Sequence, residues 1–215
     1  MDAAVVIGRG VPCGAEERVA ELYWEAFGRK IGAALGPPER GRAFIAGHLH
    51  HDRAAVARIP CGDRILGGDR VVGVAGYRLG GRALTGGGVR DVLRTYGPLR
   101  GLPRLALLAL LERAPEPGEL VMDGIAVDPA HRGTGIGSLL LTEIAAVAAE
   151  HGCSRVRLDV IDANPRARAL YERHGFSAVR TEQTPYLERL MGFGAVTTMH
   201  RAVEARPGHT LEQQP

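Results

Sequence analysis

Cysteine is scarce in this chain: Cys13, Cys61 and Cys153 are three among 215 residues, far apart and without a Cys-x-x-Cys pair. A disulfide framework or a structural zinc site needs clustered or paired thiols, so neither is expected, and the usage fits a reducing compartment. Long apolar runs are missing as well. The run Ala3–Ile7 is shorter than the ~7–15 apolar residues of a signal-peptide core. Leu105–Leu111 falls far short of the ~20 residues that a membrane-spanning helix needs. A cytoplasmic location without a membrane partner is therefore expected. A tract of one charge sign is also lacking. The 27 basic and 24 acidic residues leave a net charge of +3, and the pI near 9.0 comes from arginines scattered along the chain. Scattered charge solubilises; it does not form the basic stripe of a nucleic-acid surface.

What is there has the balance of an ordinary folded protein, 45% hydrophobic and 24% charged, with enough length for one domain and a real core. A single domain over residues 1–204 and a loose polar tail over 205–215 are expected. Residues 3–7 read as a strand. Val19, Leu22, Tyr23, Ala26, Phe27 and Ile31 recur at helical spacing and lay one stripe against a core. Gly36-Pro37-Pro38 ends that helix, and a second is expected from Glu39 to about His50. Ala54–Ile59 and Arg70–Arg78 read as a hairpin across the glycine-rich stretch 62–68. Residues 86–118 read as a helical insertion with two short helices, broken at Gly97-Pro98 and Pro103. Further on come a strand Glu119–Val127, a helix from Gly135 to Glu150 and a strand Arg155–Ile161. A helix then starts at Asn164-Pro165, the pairing of an N-cap with a first-turn proline, and ends at Gly175. Two last strands follow, the final one near Ala195–Arg201.

The informative block is Ile125-Ala126-Val127-Asp128-Pro129-Ala130-His131-Arg132-Gly133-Thr134-Gly135-Ile136-Gly137-Ser138. A strand runs through a glycine-dense turn into a helix. Glycines let successive backbone N–H groups point inward, and a helix N-terminus adds unpaired donors with partial positive charge. The natural guest of such a cradle is a pyrophosphate. Gly133-x-Gly135-x-Gly137 is not the dinucleotide fingerprint, because position 138 is serine, and no Gly-Lys-Ser/Thr makes it a P-loop. A tight turn without a ligand is the plain alternative.

Arg132-Gly133-Thr134-Gly135-Ile136-Gly137 resembles the Arg/Gln-x-x-Gly-x-Gly/Ala signature of the GNAT N-acetyltransferase superfamily. Asn164-Pro165-x-Ala167-x-Ala169-Leu170-Tyr171, followed by Gly175-Phe176, is similar to a second block of that family. The resemblance covers residues 119–180 closely and the N-terminal half loosely. It implies an α/β (α+β) GNAT fold, a mixed, mostly antiparallel sheet of about seven strands flanked by helices. It also implies acetyl-CoA as co-substrate, no metal, and transfer of the acetyl group to a primary amine by direct attack in a ternary complex. The backbone of Arg132, Gly133, Thr134, Gly135, Ile136, Gly137 and Ser138 would hold the pyrophosphate. Ile125, Ala126 and Val127 would pair with the pantetheine arm as an added strand, and an N–H near Ile125 or Ala126 would polarise the thioester carbonyl. Asn164 would meet the pantetheine or serve only as a cap. Tyr171, two helical turns further on, would protonate the leaving thiolate or be only a core aromatic.

A base is needed to take the amine proton. Asp123 is the expected one, because it shares strand parity with Ile125 and Val127 and would project on their side of the sheet. His48, His50 and His51 lack the carboxylate or thiol that would complete a metal site and read as a solvated helix end. The leucines of 105–111 read as core or as a homodimer contact. Tyr186 and the segment to Phe193 are candidates for bordering the acceptor. The acceptor itself, a small-molecule amine or a protein amine, is left open. A longer acyl group and a CoA-binding module without catalysis are the alternatives.

Overall fold

The computed structural model describes residues 4–60, 69–111, 115–185, 188 and 192–204. Cys61, the 62–68 stretch, Tyr186 and the tail 205–215 lie outside the described residues. Strands β1 (Val6–Arg9), β2 (Ala54–Ile59), β3 (Arg70–Arg78), β4 (Glu119–Val127), β5 (Arg155–Ile161), β6 (Ser177–Gln183) and β7 (Ala195–Ala202) form one sheet in the order β1-β2-β3-β4-β5-β7-β6. Among the described residues only β4 and β5 run parallel; the other neighbours are antiparallel. The expected mixed seven-stranded sheet is therefore present.

Helices α1 (Glu16–Leu35) and α2 (Pro38–Gly47) cover one face, joined by α3 (Val89–Tyr96) and α4 (Pro98–Leu111) of the insertion. Helices α5 (Ile136–Glu150) and α6 (Pro165–Arg173) cover the other. Each face buries its own apolar set. Val19, Leu22, Val56, Val74 and Leu84 are nearly inaccessible on the α1 side; Leu140, Ile144, Leu120, Leu158 and Met199 are so on the α5 side.

Three local expectations need correction. The first strand starts at Val6 rather than residue 3. Helix α2 ends at Gly47, short of His50, because the chain there leaves the helix to pair with the start of the insertion. The His50 amide donates to Leu84 O at 2.8 Å, and the Gly86 amide donates to His48 O at 2.8 Å. His48 and His50 are accordingly half-buried rather than a solvated end, with their Nδ1 atoms 2.8 and 2.7 Å from the carbonyls of Phe44 and Ala83. Pro103 lies inside α4 and does not break it. The carbonyl that its missing N–H would have engaged belongs to Leu99, which is 91% exposed and open to water.

The insertion is fastened to the domain rather than hanging from it. The buried Tyr96 hydroxyl donates to Leu35 O at 2.6 Å, at the end of α1, and the Arg104 guanidinium sits 4.7 Å from the Tyr96 ring. Phe193, before β7, packs against Leu107 of α4.

Candidate active site

The parallel pair β4–β5 is joined only at one end. Glu119, Leu120, Val121 and Met122 pair with Arg155, Val156, Arg157 and Leu158. Beyond that both strands continue without pairing to each other, so Ile125–Val127 and Val160–Ile161 diverge. The result is a slot in the middle of the sheet with backbone groups of β4 along one wall, the arrangement that lets an extended ligand add as a strand.

A bulge in β4 sits at the mouth of the slot. Register with β3 shifts between Gly76, opposite Gly124, and Tyr77, opposite Met122, leaving Asp123 as the extra residue. Gly124 has φ 146°, and a Cβ there would come within 2.3 Å of the Phe27 ring, so the bulge requires glycine on both counts. The bulge also reverses the parity of the strand. Leu120, Met122, Ile125 and Val127 all join the α5-side core, while Ala126 joins the α1-side core. Asp123 thus faces α1, opposite to Ile125 and Val127, and the expectation from simple alternation is wrong in direction. The signal was there: an isolated glycine inside a strand marks a bulge.

The chain leaves β4 through Asp128, which is buried. Its Oδ1 accepts from the Ala130 amide at 2.9 Å, and its Oδ2 accepts from Arg18 and, at 3.2 Å, from Arg70. Burial pushes the Asp128 carboxyl up. The Ala130 amide and the positive charges of Arg18, His131 and Arg70 outweigh it, so the group lies below the ordinary carboxylate range. Arg18 also donates to Val71 O at 3.2 Å, so a single α1 side chain aligns helix, sheet and turn. Its position on the sequence carries no signal of this role.

The turn then runs through Gly133 (φ 82°) and Gly135 (φ 87°), the latter the N-cap of α5. The Arg132 amide donates to Pro129 O at 3.3 Å, and the Leu139 amide to Gly135 O at 3.1 Å. Between them, among the described residues, the amides of Gly133, Thr134, Gly135, Ile136, Gly137 and Ser138 have no protein acceptor. Side chains there are occupied elsewhere. Arg132 donates from Nε to Val127 O at 3.0 Å and pairs with Glu25 at 2.8 Å; Thr134 Oγ1 donates to His131 O at 2.7 Å; Ile136 is buried in the core. Ser138 Oγ lies 2.8 Å from His174 Nε2, and the His174 ring is held below the usual imidazole range by burial, then by Arg201 and Arg173. The cradle is therefore a backbone device, and His174 is a neighbour that motif spacing did not reveal.

Helix α6 lies against the start of α5: a Cβ on Gly137 would be 3.1 Å from Leu170 Cδ2. Asn164 is exposed and caps α6, its Oδ1 accepting from the Ala167 amide at 3.1 Å. Tyr171 is buried on the α5 side, its ring 5.9 Å from that of Phe176, and burial pushes its hydroxyl above the usual phenol range.

On the α1 face a cavity of about 250 Å³ opens beside the bulge. Its walls include Phe27 and Ile31 of α1, Phe44 of α2 and Leu108 of α4; Asp123 and Arg78 lie on its sheet side. Thr85, at the start of the insertion, lines the same cavity as the buried Tyr23. Burial and the negative charge of Asp123 push the Tyr23 hydroxyl up. The insertion therefore helps enclose this cavity, through Thr85–Gly87 at one side and Leu108 at another.

The structure brings the turn, Asn164 and Tyr171 to one face and Asp123 with the cavity to the other, with the slot between them. Among the described residues no group of three or more His, Cys, Asp or Glu side chains is placed to hold a metal, and no helix is long and apolar enough to cross a membrane.

Residues 17–176 match the model of the acetyltransferase (GNAT) family, and the chain belongs to that family. It is 45% identical over 56 residues to the thialysine N-epsilon-acetyltransferase of Bos taurus, a stretch covering 26% of this chain and 33% of that one. It is 40% identical over 58 residues to the streptothricin acetyltransferase of Streptomyces lavendulae, covering 27% and 31%. The match thus spans about a third of the length of these curated relatives. Among solved structures, a GCN5-related N-acetyltransferase from Kribbella flavida superposes with TM-score 0.58 at 16% identity, over 93% of this chain and 98% of that one. The ribosomal-protein-S18-alanine N-acetyltransferase from Escherichia coli does so with TM-score 0.54 at 15% identity, over 97% and 99%. These likenesses are of fold.

Proposed function

We propose that this chain is an N-acetyltransferase that moves an acetyl group from acetyl-CoA to a primary amine by direct attack in a ternary complex. One observation carries the reading: the slot between β4 and β5 lies between a backbone anion cradle on one face and a half-open cavity with charged residues in its wall on the other. A thioester threaded through it would present its sulfur to the α6 side and its carbonyl to the amine side. The amides of Gly133–Ser138 would take the pyrophosphate, with Arg132 contributing its backbone more than its side chain. Ile125, Ala126 and Val127 would pair with the pantetheine, and the free amide hydrogens of Asn164 would reach it. Tyr171, kept protonated by burial, supports a role as the proton donor to the leaving thiolate. Asp123, in the cavity wall, supports a role as the base, directly or through water. The seven strands form one sheet with helices from both halves of the chain on its faces, which supports treating residues 1–204 as one catalytic domain.

Calorimetric titration with acetyl-CoA, followed by thiol release from acetyl-CoA across a panel of amines, tests this. Micromolar binding with amine-dependent release is expected. Binding with no transfer to any amine would leave only a CoA-binding module, and no binding at all would sink the reading.

A further inference from the structure

Resting on that reading, we infer that His174 is a positioning residue for the coenzyme. Through its hydrogen bond to Ser138 it decides whether the Ser138 hydroxyl donates to the pyrophosphate, and so ties coenzyme affinity to proton uptake by one imidazole.

Ser138 stands apart from the other polar side chains of the cradle. Arg132 is engaged with Val127 O and Glu25, and Thr134 Oγ1 donates to His131 O at 2.7 Å, a carbonyl that accepts at every pH. Ser138 Oγ instead lies 2.8 Å from Nε2 of His174, and an imidazole nitrogen changes from acceptor to donor with its tautomer or its charge. Ser138 is in the first turn of α5, three residues after the N-cap Gly135. Side chains tilt towards the N-terminus of their helix, which turns this hydroxyl towards the amides of Gly133–Ser138. His174 is held in place at the end of α6, where its amide donates to Leu170 O at 3.2 Å and to Tyr171 O at 3.0 Å. The two helices also pack closely here, since a Cβ on Gly137 would be 3.1 Å from Leu170 Cδ2.

A hydroxyl has one proton to give. With His174 neutral and its proton on Nδ1, Ser138 donates to Nε2 and turns its lone pairs to the anion. The other neutral tautomer donates from Nε2, so the neutral ring divides between two arrangements. The imidazolium has only one: Nε2–H donates to Ser138 Oγ, and the hydroxyl proton is left for a phosphate oxygen. Before the coenzyme arrives, the ring is kept from charging by burial, then by Arg201 of β7 and by Arg173 on its own helix. The positive end of α5 lies beside it as well, and no carboxylate is among the groups that shift it. Pyrophosphate charge offsets these cations, so binding draws a proton onto His174. Affinity therefore rises as pH falls through the titration of the ring. Acyl transfer runs the other way, because the amine must lose its proton.

Calorimetry with dephospho-CoA tests this, because that ligand keeps the pyrophosphate and lacks the phosphate monoester, whose own second ionisation falls near pH ~6. The wild-type chain is expected to bind it about tenfold tighter at pH ~5.5 than at pH ~8. It should also take up part of a proton near pH ~6.5 when titrated in buffers of different ionisation heat. H174Q keeps a hydrogen-bonding side chain that does not titrate, and should show neither effect. S138A should lose most of the pH dependence, and S138T should restore it. The wild-type series stands even if a variant misfolds. Binding by the wild type that is independent of pH would overturn the inference and leave the acetyltransferase reading intact. So would pH dependence that H174Q retains, which would point to His131, beside Asp128 in the same turn. An undiminished effect in S138A would mean that the ring acts through charge alone, and the positioning role would be lost. A chain that binds neither dephospho-CoA nor acetyl-CoA would overturn both.

Discussion

The two ends of the β4–β5 pair are built on opposite plans. At the closed end, the fully buried Glu119 carboxylate accepts from Arg157 at 2.9 Å and from Arg155 Nε at 3.1 Å, and Arg155 reaches on to Glu116. Both partners come from β5, so the ion pairs lock the two strands in register where they hydrogen-bond. At the open end, among the described residues, no ion pair links β4 to β5 in this way. A bulge at Asp123-Gly124 turns β4, and Asp128, held by Arg18 and Arg70 from the α1 side, anchors the strand's exit away from β5. A parallel pair does not split on its own; it splits because one end is clamped within the pair and the other is fastened to a third element. The slot proposed for acetyl-CoA is the space left between those fastenings.

The largest expected effect comes from breaking the clamp. E119A leaves two arginines without their buried counter-charge, and removing one member of such a network costs about 3–5 kcal/mol. Urea unfolding would measure it, and a loss under about 1 kcal/mol would show the closed end held by backbone pairing alone.

Next in size is the chemistry at the open end. Y171F keeps the ring that packs beside Phe176 and removes only the hydroxyl. If Tyr171 is the leaving-group acid, kcat falls about 100-fold while the unfolding midpoint hardly moves. Turnover and stability both unchanged would return Tyr171 to a core role.

A smaller loss is expected from the turn. A Cβ on Gly135 would meet nothing within 4 Å, so the glycine serves the backbone angle and not the space. G135A should then cost about 1–2 kcal/mol of strain and weaken acetyl-CoA binding through misaligned amides. Calorimetry on the variant reads both, and unchanged affinity would mean that the left-handed residue is not needed for the cradle.

The same comparison explains what could be read from sequence. The limits of β2, β3, β4 and β5 and the cap at Asn164 follow from local rules of apolar alternation, breakers and the Asn-Pro pair. The turn was legible because its glycines answer a local backbone demand. Asp123 was legible as a residue but not in direction, since one extra residue at Gly124 inverts every parity argument that crosses it. Arg18, Arg155 and Arg157 were not legible as anchors, because a charge on a helix or strand reads as solvated until the fold supplies its partner. The insertion showed its helices but not its place over the cavity, which depends on long-range contacts such as Tyr96 with Leu35.

The smallest effect sharpens the anchor at Asp128 and is seen through pH. Its folded carboxyl lies below the ordinary value because the Ala130 amide, Arg18, His131 and Arg70 together outweigh the cost of burial. A group whose pKa is lower folded than unfolded adds stability above the unfolded value, ~3.9 for aspartate, and loses it as pH falls through the folded value. At pH 6 to 7 D128N should therefore be less stable than wild type by about 1 kcal/mol, the size of a net hydrogen bond. That gap should shrink steadily below pH ~4, as protonation takes the wild-type charge away. Urea midpoints of both proteins at several pH values would trace it. A gap that stayed constant down to pH ~3 would mean that shape rather than charge holds the end of β4, and that Arg18 fastens it by packing alone.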